Sequence, residues 1–317
     1  MKKTIKKFIK LCLSPVLFLN KKVMETNWYK NVIPDLDNYP TNDWYRKHLE
    51  RNYDFVVIGS STGVYDFDLS VSDKKSFNWS MQPLAMEYSI KVLMNFFSIL
   101  KKGGTVVIVF SPFSSLSVLG KQGKTTDDRF FHLLDRTLVE DYVQVSKRRR
   151  YPLIYQPTIS LKRLIKDVPP KKGQRNCKIC LSSEEFARDA DNWIRGWKRE
   201  FNILDLDAPL TDENVTAQDK RAKVIQQIID FCLERDLRTI LVMPPMHEAL
   251  ASKFSDAFRE TYINSFMVQF SKQGIPFYNY IDSKDFSEDK YYFNSYFMSE
   301  EGAKAFTKTF LEDSRLI

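Results

Sequence analysis

Cysteine is scarce in this 317-residue chain, which contains only Cys12, Cys177, Cys180 and Cys232. Four cysteines are too few for a disulfide framework in a chain of this length, so we predict a reducing, cytoplasmic compartment. Cys177 and Cys180 have the spacing of half a zinc site, but no second cysteine pair and no nearby histidine completes the ligand set. We therefore predict no metal and no cofactor. The pair is either a redox pair or two thiols in a polar loop.

Long hydrophobic runs are also lacking at the N-terminus. The apolar stretch from Leu11 to Leu19 is too short to span a bilayer, contains Pro15 and is not followed by a small-residue cleavage site. We predict that residues 1–25 form a basic amphipathic leader. Two interpretations remain open: residues 1–22 lie on an anionic membrane surface, or the leader packs on the folded domain.

Positive charge, in contrast, is abundant and unevenly distributed. The formal net charge is +8, and lysines crowd the first ten residues while residues 147–150 form a basic run in mid-chain. Basic blocks of this kind bind anionic surfaces. No helix-turn-helix, RNA-binding or zinc-finger pattern accompanies them, so nucleic acid is not the partner that we expect.

Three short apolar runs rich in β-branched residues are typical of buried parallel strands. They are residues 55–58, 105–110 and 239–243. Stretches with helical spacing of apolar residues alternate with these runs, and a last short strand is expected near Phe277. The alternation predicts an α/β protein over residues 26–317, with a parallel, flavodoxin-like sheet in a three-layer α/β/α fold. Residues 114–210 break the alternation and are predicted to form a partly helical insertion over the carboxyl edge of the sheet.

Helix boundaries are predicted from capping residues. Thr216 followed by Asp219 resembles a capping box and would start a helix whose apolar face includes Ile225. Ser299 would cap the last helix, and residues 103–104, both glycine, would end the helix that precedes the second strand.

A serine-rich turn follows the first predicted strand and consists of Gly59, Ser60, Ser61, Thr62 and Gly63. Ligands of parallel sheets bind beyond the carboxyl ends of the strands, so these residues are candidates for a site. A serine at a tight strand-to-helix turn presents its hydroxyl and can contribute a backbone N–H to an oxyanion. The same turn would also suit a helix cap or a phosphate cradle.

Further segments continue the pattern that the serine turn begins. They are residues 77–80 (FNWS), 109–113 (VFSPF), 243–247 (MPPMH) and 291–303. In this order the blocks resemble the SGNH/GDSL hydrolase family, and more narrowly its branch encoded with bacterial surface-polysaccharide biosynthesis. The resemblance covers most of residues 50–312 and leaves the insertion unmatched. It implies that Ser61 is the nucleophile, and the residues that it implies for the oxyanion hole or pocket are Gly59, Ser60, Thr62, Ser80 and Ser111.

Two positions depart from that family in the last block. The family carries Asp and His there to activate the serine, whereas this chain has Asn294 and Phe297. Phenylalanine cannot accept a proton, and an unassisted serine hydroxyl is a poor nucleophile. The chain has only three histidines, His48, His132 and His247, and His247 follows the third predicted strand. His247 is therefore the candidate substitute base, or else a surface residue at a helix start.

Two functions remain open at this point. One is an esterase or O-acyltransferase that acts on a bacterial glycan, with Ser61 as nucleophile and His247 as base. The other is a catalytically inactive SGNH-like protein that binds a glycan or a partner in polysaccharide biosynthesis. Trp193 and Trp197, one helical turn apart, would stack on a sugar ring or pack on a buried helix face.

Overall fold

The computed structural model describes residues 2–31, 50–81, 86–116, 134–167 and 181–317. Contacts within the chain divide it into two units. One unit consists of Met1–Leu49 with Gly123–Arg175, and the other of Glu50–Gln122 with Asn176–Ile317. Cys177 and Cys180 lie outside the described residues, so the prediction for that pair stays a prediction.

The helices, in chain order, are α1 (Lys2–Glu25), α2 (Asn27–Asn31), α3 (Ser61–Tyr65), α4 (Met86–Phe96), α5 (Tyr142–Arg150), α6 (Pro152–Tyr155), α7 (Pro157–Ile165), α8 (Ser183–Glu200), α9 (Asp212–Leu233), α10 (Glu248–Ala251), α11 (Asp256–Phe258), α12 (Ser265–Ser271) and α13 (Glu300–Asp313). A π-helical segment, Arg259–Asn264, joins α11 to α12. Short 3-10 turns cover Leu69–Val71, Phe97–Ile99, Lys284–Phe286 and Asp289–Tyr291.

The second unit contains a parallel sheet. Its strands are β1 (Tyr53–Ile58), β2 (Ser76–Asn78), β3 (Leu100–Val109), β4 (Arg238–Met243) and β5 (Phe277–Asn279). They lie in the order β2-β1-β3-β4-β5, and every neighbouring pair is parallel. This is the flavodoxin-like order, in which the strand order reverses at β1 and β3. The predicted three-layer α/β/α fold with a parallel sheet is therefore confirmed.

Both faces of the sheet are covered. On one face, side chains of the central strands pack with α13, in a buried cluster that includes Phe55, Val107, Val242, Phe306 and Phe310. On the other face lies α9, which contacts β4, α4 and α12. Burial on both sides explains why the strand sequences are continuous apolar runs rather than alternating ones.

In the first unit the leader forms a helix that packs on α6 and α7. Asn20 connects α1 to α5 and α6, because its Nδ2 donates to the carbonyl of Arg150 (2.9 Å) and its Oδ1 accepts from the N–H of Leu153 (3.1 Å). The hydroxyl of Tyr29 donates to the carbonyl of Arg149 (2.5 Å), and its ring centre lies 4.5 Å from the Arg149 guanidinium. Arg149 is buried, so part of the mid-chain basic run stabilises this unit instead of facing a partner.

The stretch 114–210 is partly helical where it is described. Helices α5, α6 and α7 belong to the first unit, and α8 belongs to the second. Within the described ranges, no helix combines the length and the apolarity needed to cross a membrane.

Some boundaries differ from the predicted ones. Strand β2 was not predicted, because a strand of three residues is too short to leave an apolar run. Helix α9 starts after Thr211, whose hydroxyl accepts from the N–H of Asn214 (3.2 Å), rather than at Thr216. Gly103 lies inside β3 with φ 73° rather than at a helix end. The cap of α13 is confirmed, since the Ser299 hydroxyl accepts from the N–H of Gly302 (3.1 Å).

Candidate functional site

A cavity of about 300 Å³ lies where β1 and β3 end, which is the switch point of the sheet. The turn after β1 and the segment after β3 together contribute the lining residues Gly59, Ser60, Ser61, Thr62, Ser111 and Ser114. Hydroxyl groups are therefore concentrated where the two strands end. The volume is at the small end of the roughly 300–1,000 Å³ typical of small-molecule sites.

Aromatic side chains form another part of the cavity wall. Trp193 and Trp197 of α8 line it together with Tyr296 and Phe297, which precede α13. The ring centre of Trp193 lies 5.3 Å from that of Trp197 and 4.8 Å from that of Tyr296. Trp197 is buried in an aromatic cluster, and both rings also line the cavity. Their stacking on a sugar ring stays a prediction.

Close packing fixes the conformation of the serine turn. A Cβ on Gly59 would lie 3.0 Å from the Cβ of Val109, and a Cβ on Gly63 would lie 2.8 Å from the Cβ of Ser80 and closer still to its Oγ. A side chain at Gly63 could be accepted only if Ser80 moved. The two glycines therefore let the turn lie directly against β3 and against the end of β2, with Ser61 at the start of α3.

Asn78 holds this turn and was not singled out in the sequence. Its Nδ2 donates to the carbonyl of Gly63 (2.6 Å), and its Oδ1 accepts from the N–H of Ser80 (2.9 Å). The Ser80 N–H is thus engaged by Asn78, and Ser80 is not among the residues that line the cavity. The structure places Ser80 behind the turn, where its buried hydroxyl has no hydrogen-bond partner among the described residues.

Ser111 belongs to a small hydroxyl cluster. Its N–H donates to the Oγ of Ser114 (2.8 Å), and the two hydroxyl oxygens lie 2.9 Å apart. The hydroxyl of Tyr296 also interacts with Ser111. Burial raises the pKa of Tyr296 well above its usual value, and the contact with Ser111 partly opposes that shift. Tyr296 is therefore a neutral hydrogen-bonding group at this cavity.

His247 is not among the cavity-lining residues, and its ring nitrogens are engaged elsewhere. Nδ1 accepts from the N–H of Ala249 (3.1 Å), which assigns the ring proton to Nε2, and Nε2 donates to Oδ1 of Asp289 (3.0 Å). The ring also stacks on Phe186, with centroids 3.8 Å apart and an interplanar angle of 6°. These contacts make His247 the N-cap of α10, and they do not direct it to Ser61.

Asn294 and Phe297, the two positions at which this chain departs from the resembled family, shape the loop before α13 and the cavity wall. The Oδ1 of Asn294 accepts from the N–H groups of Tyr296 (2.9 Å) and Phe297 (2.7 Å) and so shapes the loop. Ser295 is held by Asp189 of α8, whose Oδ2 accepts from its N–H (3.0 Å) and its hydroxyl (2.6 Å). Phe297 is a wall of the cavity. The predicted site residues that line the cavity are Gly59, Ser60, Ser61, Thr62, Ser111 and Phe297. Ser80, His247 and Asn294 do not line it.

The cavity also contains charged residues that the sequence analysis missed. Arg221 of α9 lines it with a side chain that is 1 % exposed, and it forms an ion pair with Glu87 of α4 (3.1 Å). Burial lowers the pKa of the Arg221 guanidinium, and the Glu87 carboxylate opposes that shift. Glu200, at the end of α8, lines the cavity as an exposed carboxylate. The sequence contained a sign that Arg221 is buried: it precedes Ile225 by one helical turn and so lies on the apolar face of its helix.

Comparison with known protein families finds no model that matches this chain, and comparison with curated proteins finds no significant relative. We therefore infer its function from the residues of the cavity.

Proposed function

We propose that this chain is an SGNH-like protein that binds a glycan in the cavity at the serine turn and does not hydrolyse it by a Ser-His-Asp mechanism. The observation that carries the proposal is the position of Phe297, which lines the cavity where the resembled family has its histidine. The neighbouring family position, Asn294, accepts two backbone hydrogen bonds of its own loop. Neither side chain can take a proton from Ser61.

The sheet order and the location of the serine turn support the SGNH-like assignment. The turn follows β1 directly at the switch point, and the divergent loop precedes the last helix, α13. Since one fold carries many functions, these features support the family and leave the activity to be argued from the site.

The lining of the cavity supports a carbohydrate ligand. Sugar rings present apolar C–H faces that pack on aromatic rings, and Trp193, Trp197 and Tyr296 supply such rings. The hydroxyls of Ser61, Thr62 and other lining residues can donate and accept hydrogen bonds with sugar hydroxyls. An apolar wall beside a few convergent polar groups is the usual composition of a small-molecule site.

An esterase or O-acyltransferase that uses Ser61 is the second candidate. It is favoured by the serine turn, in which Gly59 and Gly63 permit a tight approach that presents Ser61 to the cavity. Among the described residues that line the cavity there is no histidine, and His48 and His132 lie outside the described residues. The contacts of His247 give its role as a substitute base no support.

Two measurements on the full chain test the proposal. Calorimetric titration with a panel of mono- and oligosaccharides should detect binding that Trp193→Ala weakens roughly fivefold or more, because a stacking partner is lost. Trp28→Ala, in the first unit, is the matched control and should bind as the unmodified chain does. If no sugar of the panel binds, or if Trp193→Ala does not weaken binding, the proposal is contradicted.

Hydrolysis of a chromogenic acetate ester separates the two candidates. We expect equal background rates for the unmodified chain, for Ser61→Ala and for the exposed control Ser271→Ala. A rate that falls only in Ser61→Ala would favour the esterase.

We also propose that α1 makes peripheral contact with an anionic membrane. Leu17, Phe18 and Leu19 are 49 %, 61 % and 42 % exposed, and Lys21 and Lys22 follow them directly. Exposed apolar side chains beside lysines are the composition of interfacial helices. Phe18→Ser should reduce co-sedimentation with vesicles that contain phosphatidylglycerol, whereas the unmodified chain should co-sediment. Absence of co-sedimentation of the unmodified chain would remove this part of the proposal.

A further inference from the structure

Among the described residues, Arg221 uses only one edge of its guanidinium. Its Nη1 donates to Oε2 of Glu87 (3.1 Å), which leaves Nε and Nη2 on the opposite edge. These two nitrogens are buried and have no hydrogen-bond partner among the described residues. The side chain is 1 % exposed and lines the cavity at the serine turn.

The unused edge has the geometry of an oxyanion receptor. In a guanidinium group, Nε–H and the neighbouring Nη2–H point in the same direction, and together they match the two oxygens of a carboxylate. Buried N–H groups without a partner destabilise a folded protein, so a native structure rarely leaves two on one side chain without a role. A ligand in the cavity that carries an oxyanion would satisfy both.

A second donor lines the same cavity from a different helix. Ser89 of α4 is 1 % exposed, and its buried hydroxyl also has no partner among the described residues. Ser89 and Arg221 therefore bring unused polar groups from α4 and α9 to one cavity. Within the part of the chain that the structure describes, unsatisfied buried polar groups thus reach this cavity from two separate helices.

The charges around the cavity limit how much negative charge the ligand can carry. The Arg221–Glu87 pair has no net charge, and Glu200 adds an exposed carboxylate to the lining. A phosphate carries more negative charge than a carboxylate and would be repelled more strongly by Glu87 and Glu200. Among oxyanions, the balance of charge therefore favours a group with a single negative charge over a phosphate.

We propose that Arg221 and Ser89 form a subsite for the carboxylate of an acidic sugar of the hexuronic acid class, an inference that rests on the glycan-binding function proposed above. The Nε and Nη2 atoms of Arg221 donate to the two carboxylate oxygens, and the Ser89 hydroxyl donates to the same group. The sugar ring then lies toward Trp193 and Tyr296, which line the same cavity.

Calorimetric titration of the full chain with matched sugars tests this subsite. The probes are glucuronate and galacturonate, each paired with its neutral hexose, together with glucose 6-phosphate and acetate. The acidic sugars should bind roughly tenfold or more tightly than the neutral ones, because charge-assisted hydrogen bonds are formed only with the acid. Arg221→Lys keeps a positive charge beside Glu87 but removes the paired donors, and it should abolish this preference.

Ser89→Ala should reduce the preference about threefold to tenfold, consistent with the loss of one hydrogen bond. Arg235→Lys is the matched control, because Arg235 pairs with Glu234 outside the cavity, and it should leave the preference unchanged. If Arg221→Lys does not fold, the ratio measured with the unmodified chain and with Ser89→Ala still decides the question.

The outcomes distinguish this subsite from the function on which it rests. Equal affinity for acidic and neutral sugars, or tighter binding of glucose 6-phosphate, would overturn the carboxylate subsite and leave glycan binding intact. Binding of acetate that depends on Arg221, without binding of any sugar, would support the subsite and overturn glycan binding. No binding of any probe would overturn both.

Discussion

The serine turn after β1 and the loop before α13 line the same cavity, but they differ in what they present to it. The serine turn keeps glycines at both positions where a side chain would clash, and Asn78 fixes it from behind. The loop before α13 is equally well held, by Asn294 and Asp189, but it presents an aromatic ring. Two neighbouring loops of one cavity can thus be held equally firmly by hydrogen bonds and still present different chemistry, hydroxyl groups from one and an aromatic ring from the other.

The strongest steric constraint next to this loop is at Gly302, the third residue of α13, where an added Cβ would lie 2.8 Å from the backbone carbon of Tyr291 and closer still to its oxygen. Because backbone atoms cannot move aside as a side chain can, Gly302→Ala should lower the free energy of unfolding by about 3 kcal/mol. Urea unfolding measures this. The control is Gly196→Ala in α8, where an added Cβ would have no described neighbour within 4 Å outside its own helix, and it should be neutral or stabilising. Equal effects of the two substitutions would refute the constraint.

The corresponding constraint in the serine turn involves a side chain. Gly63→Ala should destabilise the protein by about 2 kcal/mol, because its Cβ would collide with Ser80. Adding Ser80→Gly should recover part of this loss, since it removes the side chain that clashes. If the double variant is no more stable than Gly63→Ala alone, the contact between the turn and Ser80 is not what requires glycine.

Each of the two loops is held by an asparagine that makes two hydrogen bonds to backbone groups, Asn78 of β2 for the serine turn and Asn294 for the loop before α13, and these offer a matched comparison. Asn78→Ala and Asn294→Ala should each lower the free energy of unfolding by about 1–2 kcal/mol, because buried backbone groups lose their partners. Asn264→Ala, on an exposed helical surface, should stay within about 0.5 kcal/mol. A much smaller effect of Asn294→Ala would mean that the last loop is held by Asp189 alone.

The smallest expected effect concerns His247 and ligand binding. Because His247 does not line the cavity, His247→Asn should leave sugar affinity within about twofold, as titration calorimetry can measure. Loss of binding comparable to that of Trp193→Ala would place His247 in the site.

The central part of the fold was predictable because β1, β3 and β4 are continuous apolar runs buried on both sides. Strand β2 was not, since Ser76–Asn78 is short and lies at the edge of the sheet. The start of α9 was misplaced because Thr211 and Thr216 both carry capping side chains, and only the three-dimensional structure shows that the Thr211 hydroxyl is the cap.

The residues of the candidate site that follow a strand directly were predictable, and so were Trp193 and Trp197 from their spacing on one helix. Ser61 and Ser111 lie at strand ends, and the structure brings both to the cavity. His247 also follows a strand, but the local N–H of Ala249 and the carboxylate of Asp289 orient it elsewhere, which spacing along the chain does not reveal. Arg221 and Ser89 reach the cavity from helices far apart in sequence, so their convergence depends on helix packing.

Labelling of the full chain with a fluorophosphonate probe, followed by intact mass and peptide mapping, tests the central claim most directly. A serine without a proton acceptor reacts slowly, so the account predicts no labelling of Ser61 under conditions in which a serine esterase control is fully labelled. Rapid labelling of Ser61 that is lost in Ser61→Ala would contradict it, because an activated serine requires a base that these contacts do not provide.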